Sequence, residues 1–455
     1  MSRTIDNLKI SVSGVRGVIG ETLTPRLIST FTAAFGQYVG QGPVIISRDT
    51  RPSGIMVEQA VIAGLLSVGC EPVLTGILPT PSLQVVVKEM NAAGGIAITA
   101  SHNPLPWNAL KFVNDQGMFL NRIEARELLN IYNQENTNHV VEEALKEIKN
   151  LENAFDFHQE KILQNINLVA LKKRKIKVAV DCGSGAGAPF TVNFLEKLGC
   201  EVFSVNTNFD GSFNRNLEPT PESLSELSKL VIENKCDVGF AQDPDADRLV
   251  IIDEEGQALN ENYSLALTAL KQVQAQQGPV TVSLATSRLI SDICKKYNCP
   301  IEFTRIGEIN VSTKMLENNS IIGGEANGGV IWPRVHPCRD SFSGMALILE
   351  LLLGKESISK IVKNLPKYYF GSVKIPASSE EANFVISKLK NQFHDKNPTL
   401  IDGVKIDWYD KWIIIRPSNT EPFLRIQAEA DTKTKLNKLL KEFEKLSKSI
   451  IKTHI

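Results

Sequence analysis

Short apolar runs alternate with longer amphipathic segments along most of the chain. The runs are rich in valine and isoleucine, as in "GPVIISRD", "GGIAITA", "KIKVAVD", "CDVGFAQD" and "GPVTVSLA". The longer segments place apolar residues at helical spacing, for example over 25–39, 54–69 and 221–234. An apolar strand followed by an amphipathic helix is the repeating unit of α/β folds. The pattern therefore predicts β-α-β units built around buried sheets.

The same arrangement occurs three times before the chain changes character. A predicted strand ends in a polar loop at Ser101, at Asp243 and at Glu325, each within helix-rich sequence of similar length. The last part carries strands such as "GVKIDWYDKWIIIRPS" and a helix predicted over 432–452, which favours an α+β domain with an antiparallel sheet. The predicted domains are 1–155, 156–257 and 258–368, all α/β, and 369–455, which is α+β.

Composition and charge limit the classes of partner. The chain has 455 residues, with 50 Lys and Arg against 51 Asp and Glu, so no bulk positive field attracts nucleic acid or anionic lipid. Its 7 cysteines form no CxxC pair, which favours a reducing compartment. The N-terminus lacks the apolar core of a signal peptide, and no apolar run reaches the roughly 18 residues of a membrane span. We therefore expect a cytoplasmic protein without nucleic-acid or membrane partners.

The first polar loop displays a serine directly after a buried strand. The stretch "AITASHNPLPWNALKF" places Ser101 after "GGIAITA", with Lys111 in the following segment. A serine hydroxyl needs activation, but no GxSxG turn or His–Asp pairing marks an acyl-transfer triad. Phosphoryl transfer suits Ser101 better, because it asks mainly for positioning and charge stabilisation. Lys111 is then a candidate acid/base or charge-stabilising group, and the structural alternative for Ser101 is a turn or helix cap before Pro104.

The second polar loop carries three alternating carboxylates. In "AQDPDADRLVII", Asp243, Asp245 and Asp247 could surround one hard divalent cation, Mg²⁺ or Ca²⁺, since both prefer oxygen ligands. The alternatives are a solvated acidic turn and an EF-hand loop. The EF-hand is disfavoured because Arg248 stands where the loop turn needs glycine and because predicted strands flank the segment. A guanidinium beside a metal site suits an anionic ligand such as phosphate.

Two further loops have the chemistry of a polar ligand site. The loop "GGEANGGVIWP" is rich in glycine and offers Glu325 and Asn327 as partners for hydroxyl groups. The loop "RPSNTEPFLR" combines hydroxyl, amide and guanidinium groups that could hold a phosphate dianion. Its candidate ligands are Arg416, Ser418, Asn419, Thr420 and Arg425.

A glycine-rich segment resembles a dinucleotide-binding turn. In "VAVDCGSGAGA", Gly183, Gly185 and Ala188 follow a predicted strand with the spacing of that fingerprint. The next strand, "EVFSVNTN", ends in asparagine instead of the acidic residue that would bind a ribose. The pattern therefore favours a tight strand-to-helix turn over a cofactor site.

The histidines outside the first loop fall into two groups. His139, His158, His394 and His454 lie in polar or helical sequence, so we predict that they are surface residues. His336 follows the glycine-rich loop "GGEANGGVIWP" closely enough to be kept as a candidate site residue.

Together these motifs resemble the α-D-phosphohexomutase superfamily over essentially the whole chain. "TASHNP" is similar to its phosphoserine loop, "DPDADR" to its metal loop, "GGEANGG" to its sugar-binding loop and "RPSNTEPFLR" to its phosphate-binding loop. "SGVRG" and "SRDTRPSG" resemble its two N-terminal basic motifs. The resemblance implies four domains around a central cleft, three of them α/β domains of one topology with mixed sheets.

The resemblance also implies a mechanism and a set of site residues. Phosphorylated Ser101 would give its phosphoryl group to a hexose 1- or 6-phosphate, and the bisphosphate would return the other group after turning over. A hexose bisphosphate would then act as activator. One Mg²⁺ would be held by Ser101 and the three aspartates. The implied catalytic residues are Ser101, Lys111, Arg16, His102 and Arg248, and the substrate would be bound by Glu325, Asn327, Gly307, Arg416, Ser418, Asn419, Thr420 and Arg425.

Some positions depart from the wording usual in the superfamily. Many members end the sugar loop in histidine, whereas here Asn327 is followed by Gly328 and Gly329, and His336 is one possible substitute. Many carry glycine where Asn419 stands, but asparagine also tolerates the left-handed backbone region.

The sugar itself is the least determined part of this interpretation. The wording of the sugar loop favours glucosamine phosphate over mannose or glucose phosphate. A metal-dependent phosphatase and a non-catalytic phosphosugar-binding protein remain the alternatives, and the expected assembly is a monomer or homodimer.

Overall fold

The computed structural model describes residues 8–11, 14–134, 137–418 and 422–453. Over these ranges the chain forms four β-sheets in succession, each packed against helices. The predicted four-domain α/β architecture is confirmed. In the described part of the chain no helix combines the length and the apolar character needed to cross a membrane.

The first sheet has seven strands. They are β1 (Lys9–Ser11), β2 (Gly14–Val18), β3 (Pro43–Arg48), β4 (Glu71–Ile77), β5 (Gly94–Ile98), β6 (Trp107–Val113) and β7 (Lys149–Asn150). The accompanying helices are α1 (Pro25–Val39), α2 (Gly54–Ser67), α3 (Thr80–Glu89) and α4 (Arg122–Asn133). The spatial order is β1-β2-β6-β5-β3-β4-β7, with parallel pairing from β5 to β7 and antiparallel pairing from β1 to β5.

Two helices, α5 (Ala154–Gln164) and α6 (Leu168–Arg174), lead to the second sheet. That sheet contains β8 (Lys177–Asp181), β9 (Glu201–Val205), β10 (Val238–Gln242) and β11 (Leu249–Ile252), with helices α7 (Thr191–Lys197) and α8 (Ser225–Asn234). The predicted boundary between residues 155 and 156 falls in the first turn of α5, and the exact domain boundaries remain predictions.

The third sheet has five strands in the order β13-β12-β14-β15-β16. They are β12 (Val280–Ser283), β13 (Ile301–Thr304), β14 (Ile322–Gly324), β15 (Val330–Trp332) and β16 (His336–Arg339). The helices are α9 (Asn262–Ala275), α10 (Arg288–Lys296), α11 (Glu308–Asn318), α12 (Ser341–Leu352) and α13 (Ile358–Lys363).

One four-stranded unit recurs in these three sheets. Each unit contains three parallel strands and, at one edge, a fourth strand that runs antiparallel to its neighbour. The spatial orders are β6-β5-β3-β4, β11-β10-β8-β9 and β15-β14-β12-β13. The strands β5, β10 and β12 are buried along their whole length, which explains why their sequences are mainly apolar and carry no charged residue. The loop joining the third strand to the antiparallel strand therefore has an equivalent place in each unit. These three loops carry Ser101, the aspartate triad and Glu325.

The fourth sheet is antiparallel throughout, as predicted. Its strands β17 (Tyr369–Pro376), β18 (Val404–Asp407), β19 (Lys411–Pro417) and β20 (Phe423–Ala430) lie in the order β17-β20-β19-β18. The helices are α14 (Ser379–Gln392) and α15 (Lys433–Lys452), and the second corresponds to the helix predicted over 432–452. The side chain of Thr432 caps α15 by accepting a hydrogen bond from the backbone N–H of Lys435.

The fourth sheet packs directly on the third. Trp412 of β19 is 1% exposed and shares an apolar cluster with Leu284. The guanidinium of Arg288 donates to the backbone carbonyl of Trp408 at 2.6 Å, and the backbone N–H of Ile306 donates to Asp402 Oδ2 at 3.1 Å. These contacts hold the loop before α11 next to the fourth sheet, on which the predicted phosphate-binding arginines lie.

The prediction that His158 is a surface residue is wrong. Its side chain is fully buried, with Nδ1 2.9 Å from Ser82 Oγ and Nε2 2.9 Å from Asp340 Oδ2. His158 lies on α5, Ser82 on α3, and Asp340 caps α12, so the imidazole joins the first sheet's layer to the third's. Sequence could not reveal this, because both partners are distant along the chain. His139 and His394 are exposed as predicted, and His454 lies outside the described residues.

Replacing His158 with phenylalanine should destabilise the protein, because the ring would fit while Ser82 and the Asp340 carboxylate would lose a buried partner. We expect a loss of about 3 kcal/mol, seen as a lower midpoint of urea unfolding. His139→Phe, at an exposed histidine, is the matched control. Equal midpoints for the two variants would show that the buried bridge contributes nothing to stability.

Candidate active site

The backbone around Ser101 is strained and is held by one buried arginine. Ser101 has φ 49°, in the left-handed region that non-glycine residues rarely adopt, and its side chain is 4% exposed. The guanidinium of Arg51 donates to the carbonyls of Ser101 and Asn103 at 2.6 Å, Pro104 at 3.0 Å and Trp107 at 3.1 Å. One fixed cation therefore sets the course of the whole serine loop.

Arg51 is itself fixed by the first sheet. Asp49 accepts its Nε–H at 3.1 Å and also accepts the Thr99 hydroxyl at 2.6 Å. The Thr99 hydroxyl in turn accepts the backbone N–H of Ser101 at 3.0 Å. The chain of contacts ties the loop to the ends of β3 and β5, so the serine has little freedom to move.

The hydroxyl of Ser101 points at the acidic loop of the second sheet. Oγ donates to Asp243 Oδ2 at 2.9 Å, and the Nδ1 atom of His102 lies 3.3 Å from the same hydroxyl. Burial, followed by the charges of Arg248 and Arg16, lowers the pKa of His102 to about 3. His102 is therefore neutral near pH 7 and can act as a hydrogen-bonding group beside the serine.

Each aspartate of the triad has one anchored oxygen. Asp243 Oδ1 accepts the backbone N–H groups of Asp247 and Arg248, both at 3.1 Å. Asp245 Oδ2 accepts Lys111 Nζ at 2.5 Å and the Thr80 hydroxyl at 2.7 Å. The third anchor is on Asp247, whose Oδ2 accepts the guanidinium of Arg339 at 2.5 Å.

The second oxygens of the triad are only partly satisfied: Asp243 Oδ2 accepts the Ser101 hydroxyl, whereas those of the other two aspartates accept no hydrogen bond in the described chain. Asp245 Oδ1 and Asp247 Oδ1 are buried and have no hydrogen-bond partner in the described chain, and the ligand atoms of all three carboxylates lie within 4.8 Å of one another. Buried carboxylate oxygens without partners are unfavourable unless a cation satisfies them. An all-oxygen set of this kind fits a hard divalent cation such as Mg²⁺.

The charges in the loop act on one another strongly. Burial, reinforced by the like charges of Asp247 and Asp245, raises the pKa of Asp243 well above its usual range. Burial also opposes ionisation of Asp245, but the ammonium and hydrogen bond of Lys111 lower the pKa of that group overall. Neighbouring carboxylates of one loop thus have pKa values shifted in opposite directions, because Asp245, unlike Asp243, is paired with the Lys111 ammonium.

Two arginines border the serine and the triad. Arg248 Nε lies 3.6 Å from Asp247 Oδ1 and 3.9 Å from Asp243 Oδ2. Arg16, on β2, donates to the side-chain oxygen of Asn103 in the serine loop at 2.5 Å. The two cations are thus available for an anionic group at the serine hydroxyl.

The glycine-rich turn after β8 supports the metal loop. A Cβ at Gly185 would lie 2.4 Å from the carbonyl oxygen of Pro244, and the backbone N–H of Ala186 donates to that oxygen at 2.7 Å. The Thr50 hydroxyl donates to the Ser184 carbonyl at 2.7 Å from the other side. The glycines therefore admit the chain's own backbone, in agreement with the interpretation as a tight turn.

Arg339 links the glycine-rich loop that carries Glu325 to the aspartate triad. Glu325 Oε1 accepts the backbone N–H of Gly307 at 2.7 Å, and Oε2 accepts Arg339 at 3.2 Å. Arg339 also contacts Asp247 and bonds Glu308 at 2.9 Å. Burial raises the pKa of Glu308 to about 7, although Arg339 opposes the shift. One guanidinium thus faces three buried carboxylates, which come from three separate segments.

The other candidates of the sugar loop have different surroundings. Asn327 Oδ1 accepts the backbone N–H of Gly329 at 3.3 Å and shapes the loop. His336 lies on β16, where its Nε2 is 2.9 Å from the Gly117 carbonyl. Burial lowers the pKa of His336 to about 4, and its ring contacts the first sheet's layer instead of the sugar loop. The contact of His336 with Gly117 therefore supports a role in packing between the third and first domains.

The fourth sheet presents two arginines side by side. Arg416 and Arg425 are cross-strand partners on β19 and β20, an arrangement that is unfavourable for like charges without an anion. Arg416 is buried, and neither its Nε nor the Ser418 hydroxyl has a hydrogen-bond partner in the described residues. Asn419 and Thr420 lie outside the described residues. This end of the sheet therefore has the charge and donors of an anion site.

Two arginines at the centre of the site carried no role in the sequence interpretation. Arg51 lies within the basic motif "SRDTRPSG", but its contacts to four carbonyls depend on a loop 50 or more residues away. Arg339 lies in no motif that sequence reasoning singled out, and its partners come from three separate segments.

Comparison with known families agrees with this arrangement. Four models match the chain in order, described as the phosphoglucomutase/phosphomannomutase alpha/beta/alpha domains I, II and III and the C-terminal domain. They match residues 7–139, 156–256, 260–369 and 377–446. The chain belongs to the phosphoglucomutase/phosphomannomutase family. It is therefore a member of the α-D-phosphohexomutase superfamily, whose mutases are isomerases.

Curated relatives span nearly the whole of this family member. A phosphoglucosamine/phosphogalactosamine mutase of Sulfurisphaera tokodaii is 35% identical over 445 residues, which cover 95% of this chain and 97% of the relative. A phosphoglucomutase/phosphomannomutase of Thermococcus kodakarensis is 36% identical over 450 residues, covering 96% and 98%. Relatives of similar identity thus differ in the sugars that their names give.

Solved structures share the fold. A phosphoglucomutase/phosphomannomutase family protein from Burkholderia thailandensis has a TM-score of 0.85 at 24% identity, covering 97% of each chain. An N-acetylglucosamine-phosphate mutase has a TM-score of 0.59 at 16% identity, covering 98% of this chain and 97% of that one. At these identities the likeness is evidence for the architecture of the phosphohexomutase alone.

Replacing Arg51 with lysine should impair catalysis more than folding. An ammonium lacks the planar fork that reaches four carbonyls, so the serine loop should shift. A misplacement of about 1 Å can lower turnover roughly 100-fold, and we expect a loss of kcat of this order in mutase assays. Arg126→Lys, at an exposed arginine of α4, is the control. A kcat equal to that of the control would mean that Arg51 does not position the serine.

Proposed function

We propose that this phosphohexomutase interconverts the 6- and 1-phosphates of a hexose through phosphorylated Ser101 and a bisphosphorylated intermediate. The preferred substrate is glucosamine phosphate. The observation that carries the proposal is the 2.9 Å contact between Ser101 Oγ and Asp243 Oδ2, where the loops of the first and second sheets meet. It places a candidate phosphoryl carrier against a candidate metal site.

The sugar assignment draws on the relatives. The Sulfurisphaera tokodaii protein is named for glucosamine and galactosamine phosphates, and a Pyrococcus horikoshii relative, 34% identical over 445 residues, is named a probable phosphoglucosamine mutase. Mannose and glucose phosphates are the alternative substrates, as the name of the Thermococcus kodakarensis relative suggests.

The triad is the proposed Mg²⁺ site. Asp243 Oδ2, Asp245 Oδ1 and Asp247 Oδ1 would hold the cation, together with an oxygen on Ser101. When bound, the cation would neutralise charge on the phosphoryl oxygens as they pass between serine and sugar. Lys111 and Arg339 would keep the outer carboxylate oxygens fixed, so that the inner ones stay directed at the cation.

In the first half-reaction the Ser101 Oγ–phosphorus bond would break as a free sugar hydroxyl oxygen forms the new bond to phosphorus. The neutral amine of Lys111, the proposed acid/base group, would take the proton of that hydroxyl and pass a proton to the departing Ser101 Oγ. Arg16 and Arg248 would stabilise the anionic phosphoryl group in transit. In the second half-reaction the Ser101 hydroxyl would attack the other phosphoryl group and give its proton to Lys111, which would protonate the departing sugar oxygen.

The second half-reaction requires the bisphosphate to bind in the reverse orientation. Glu325 and Asn327 would bind sugar hydroxyls in both orientations, with the backbone at Gly307 fixing the carboxylate. The phosphate that is not reacting would lie at the paired arginines of the fourth sheet. Arg416 and Ser418 there have buried donors without partners in the described residues. A hexose bisphosphate would activate the enzyme by charging Ser101.

The location and assembly of the enzyme are part of the proposal. All seven cysteines are free thiols and six of them are buried, which agrees with a cytoplasmic location. We propose a monomer or homodimer that binds a small-molecule phosphosugar substrate and has no nucleic-acid or membrane partner.

Replacing Ser101 with alanine should remove most mutase activity without unfolding the protein, because only the phosphoryl carrier is lost. Mass spectrometry after treatment with hexose bisphosphate should show one added phosphoryl group on the wild type and none on Ser101→Ala. Ser212→Ala, at an exposed serine, is the control. A fully active Ser101→Ala enzyme would refute the mechanism, and steady release of inorganic phosphate by the wild type would indicate a phosphatase.

Replacing Asp245 with asparagine should raise the Mg²⁺ concentration needed for half-maximal activity by about 10-fold or more, because one ligand charge and the Lys111 ion pair are lost. A Mg²⁺ titration of the mutase rate measures this. Asp237→Asn, at a partly exposed aspartate directly before β10, is the matched control. An unchanged titration curve would remove the triad from the proposed mechanism.

A side-by-side assay tests the sugar. We expect kcat/KM for glucosamine 6-phosphate to exceed the values for mannose 6-phosphate and glucose 6-phosphate by about 10-fold or more, since a polar site discriminates strongly against a substrate that leaves its groups unpaired. One preparation should be assayed with all three substrates and the same bisphosphate. A higher kcat/KM for mannose or glucose phosphate would assign the enzyme to the alternative substrates.

A further inference from the structure

We propose that Arg339 is a positioning residue that fixes the sugar-binding carboxylate relative to the metal loop, and that position 329 is glycine because this arginine passes over it. The inference rests on the proposed function, in which Glu325 binds the sugar and Asp247 binds the cation. In the proposed mechanism Arg339 only fixes the Asp247 carboxylate; the inference adds its link to the sugar-binding Glu325 and a steric requirement at position 329.

Three ion pairs define the place of the guanidinium. Arg339 Nη2 lies 2.5 Å from Asp247 Oδ2, Nε lies 2.9 Å from Glu308 Oε2, and Nη1 lies 3.2 Å from Glu325 Oε2. The three partners belong to the loop after β10, to the start of α11 and to the loop after β14. A rigid planar fork that bonds all three fixes the distances between those loops, which a single ammonium could not do.

Glu308, one of the three partners of Arg339, is held in place by a residue of the first domain. Glu308 Oε1 accepts the side-chain amide of Gln84, on α3, at 3.2 Å. The same helix supplies Thr80 to Asp245 of the triad. Arg339 is therefore supported from the side of the first sheet, and its guanidinium cannot move far without breaking buried ion pairs.

Gly329 leaves the space that Arg339 occupies. A Cβ at position 329 would lie 2.3 Å from Arg339 Cδ and 2.9 Å from its Cγ, far inside contact distance. The backbone of Gly329 is not in the left-handed region, unlike Gly324 and Gly328, so an alanine there would meet no backbone strain of that kind. Its nearest neighbours would be the Arg339 side chain and then Asn327 Oδ1 at 3.1 Å. The contact is with the middle of a side chain whose end is pinned, so it cannot be relieved by a simple rotation.

A double-mutant cycle tests the pairing of Gly329 with Arg339. Wild type, Gly329→Ala, Arg339→Ala and the double variant are compared for mutase kcat/KM. Gly329→Ala should lower kcat/KM by up to about 100-fold in the wild type, because it displaces the guanidinium. In the Arg339→Ala background the same change should alter kcat/KM by less than about twofold, because the side chain that obstructs position 329 is gone. Equal losses in both backgrounds would overturn the proposal.

Two readouts separate positioning from a merely structural role. Displacing Arg339 should raise both the KM for the hexose phosphate and the Mg²⁺ concentration for half-maximal rate, because Glu325 and Asp247 both lose an anchor. Arg339→Lys should not restore either value. A variant that only lowers the folded fraction would reduce apparent kcat and leave KM and the Mg²⁺ requirement unchanged, and that result would contradict the proposal.

The melting temperature of the metal-free protein keeps this test independent of the proposed function. In EDTA, Gly329→Ala should lower the melting temperature of the wild type and leave that of Arg339→Ala unchanged. If the wild type converts none of the three hexose phosphates, the proposed function fails. If it is active but both cycles are additive, only the role of Arg339 fails.

Discussion

The mutual repulsion of three buried carboxylates is the constraint on which the centre of this protein depends. Asp243, Asp245 and Asp247 are at most 1% exposed, and their ligand atoms lie within 4.8 Å of one another. Such a group is unfavourable unless each charge has a fixed partner. Two of the counter-charges come from outside the loop, Lys111 from the first sheet and Arg339 from the third. The triad is therefore neutralised by these two side chains only when the three domains are packed together.

The serine loop is also held in an unfavourable arrangement by distant side chains, and here the unfavourable feature is backbone strain. A left-handed backbone at a serine persists only where its surroundings determine it. At Ser101 they do so through the buried Arg51, whose guanidinium bonds four backbone carbonyls of the serine loop. The strained residue then presents its hydroxyl to Asp243. Strain at one position and charge crowding at the next are both held by side chains from elsewhere in the fold.

Sequence predicted what is local and failed where contacts are long-range. The threefold β-α-β pattern, the antiparallel last sheet and the loops carrying Ser101 and Glu325 all follow from periodicity and short motifs. Arg339 and His158 could not be assigned, because their partners lie in distant segments and nothing nearby marks them. The expected sugar-loop histidine is absent, and no spacing rule indicates that an arginine side chain fills the space over Gly329.

Helix α3 shows how the three similar domains depend on one another. Thr80, Ser82 and Gln84, two residues apart on this one helix, bond Asp245, His158 and Glu308 respectively. The loop that gathers the acidic groups is encoded by one repeat and completed by its neighbours. The second repeat expressed alone would thus contain the three aspartates without Lys111 and Arg339. The three repeats are alike in topology, but one could not replace another in the folded protein.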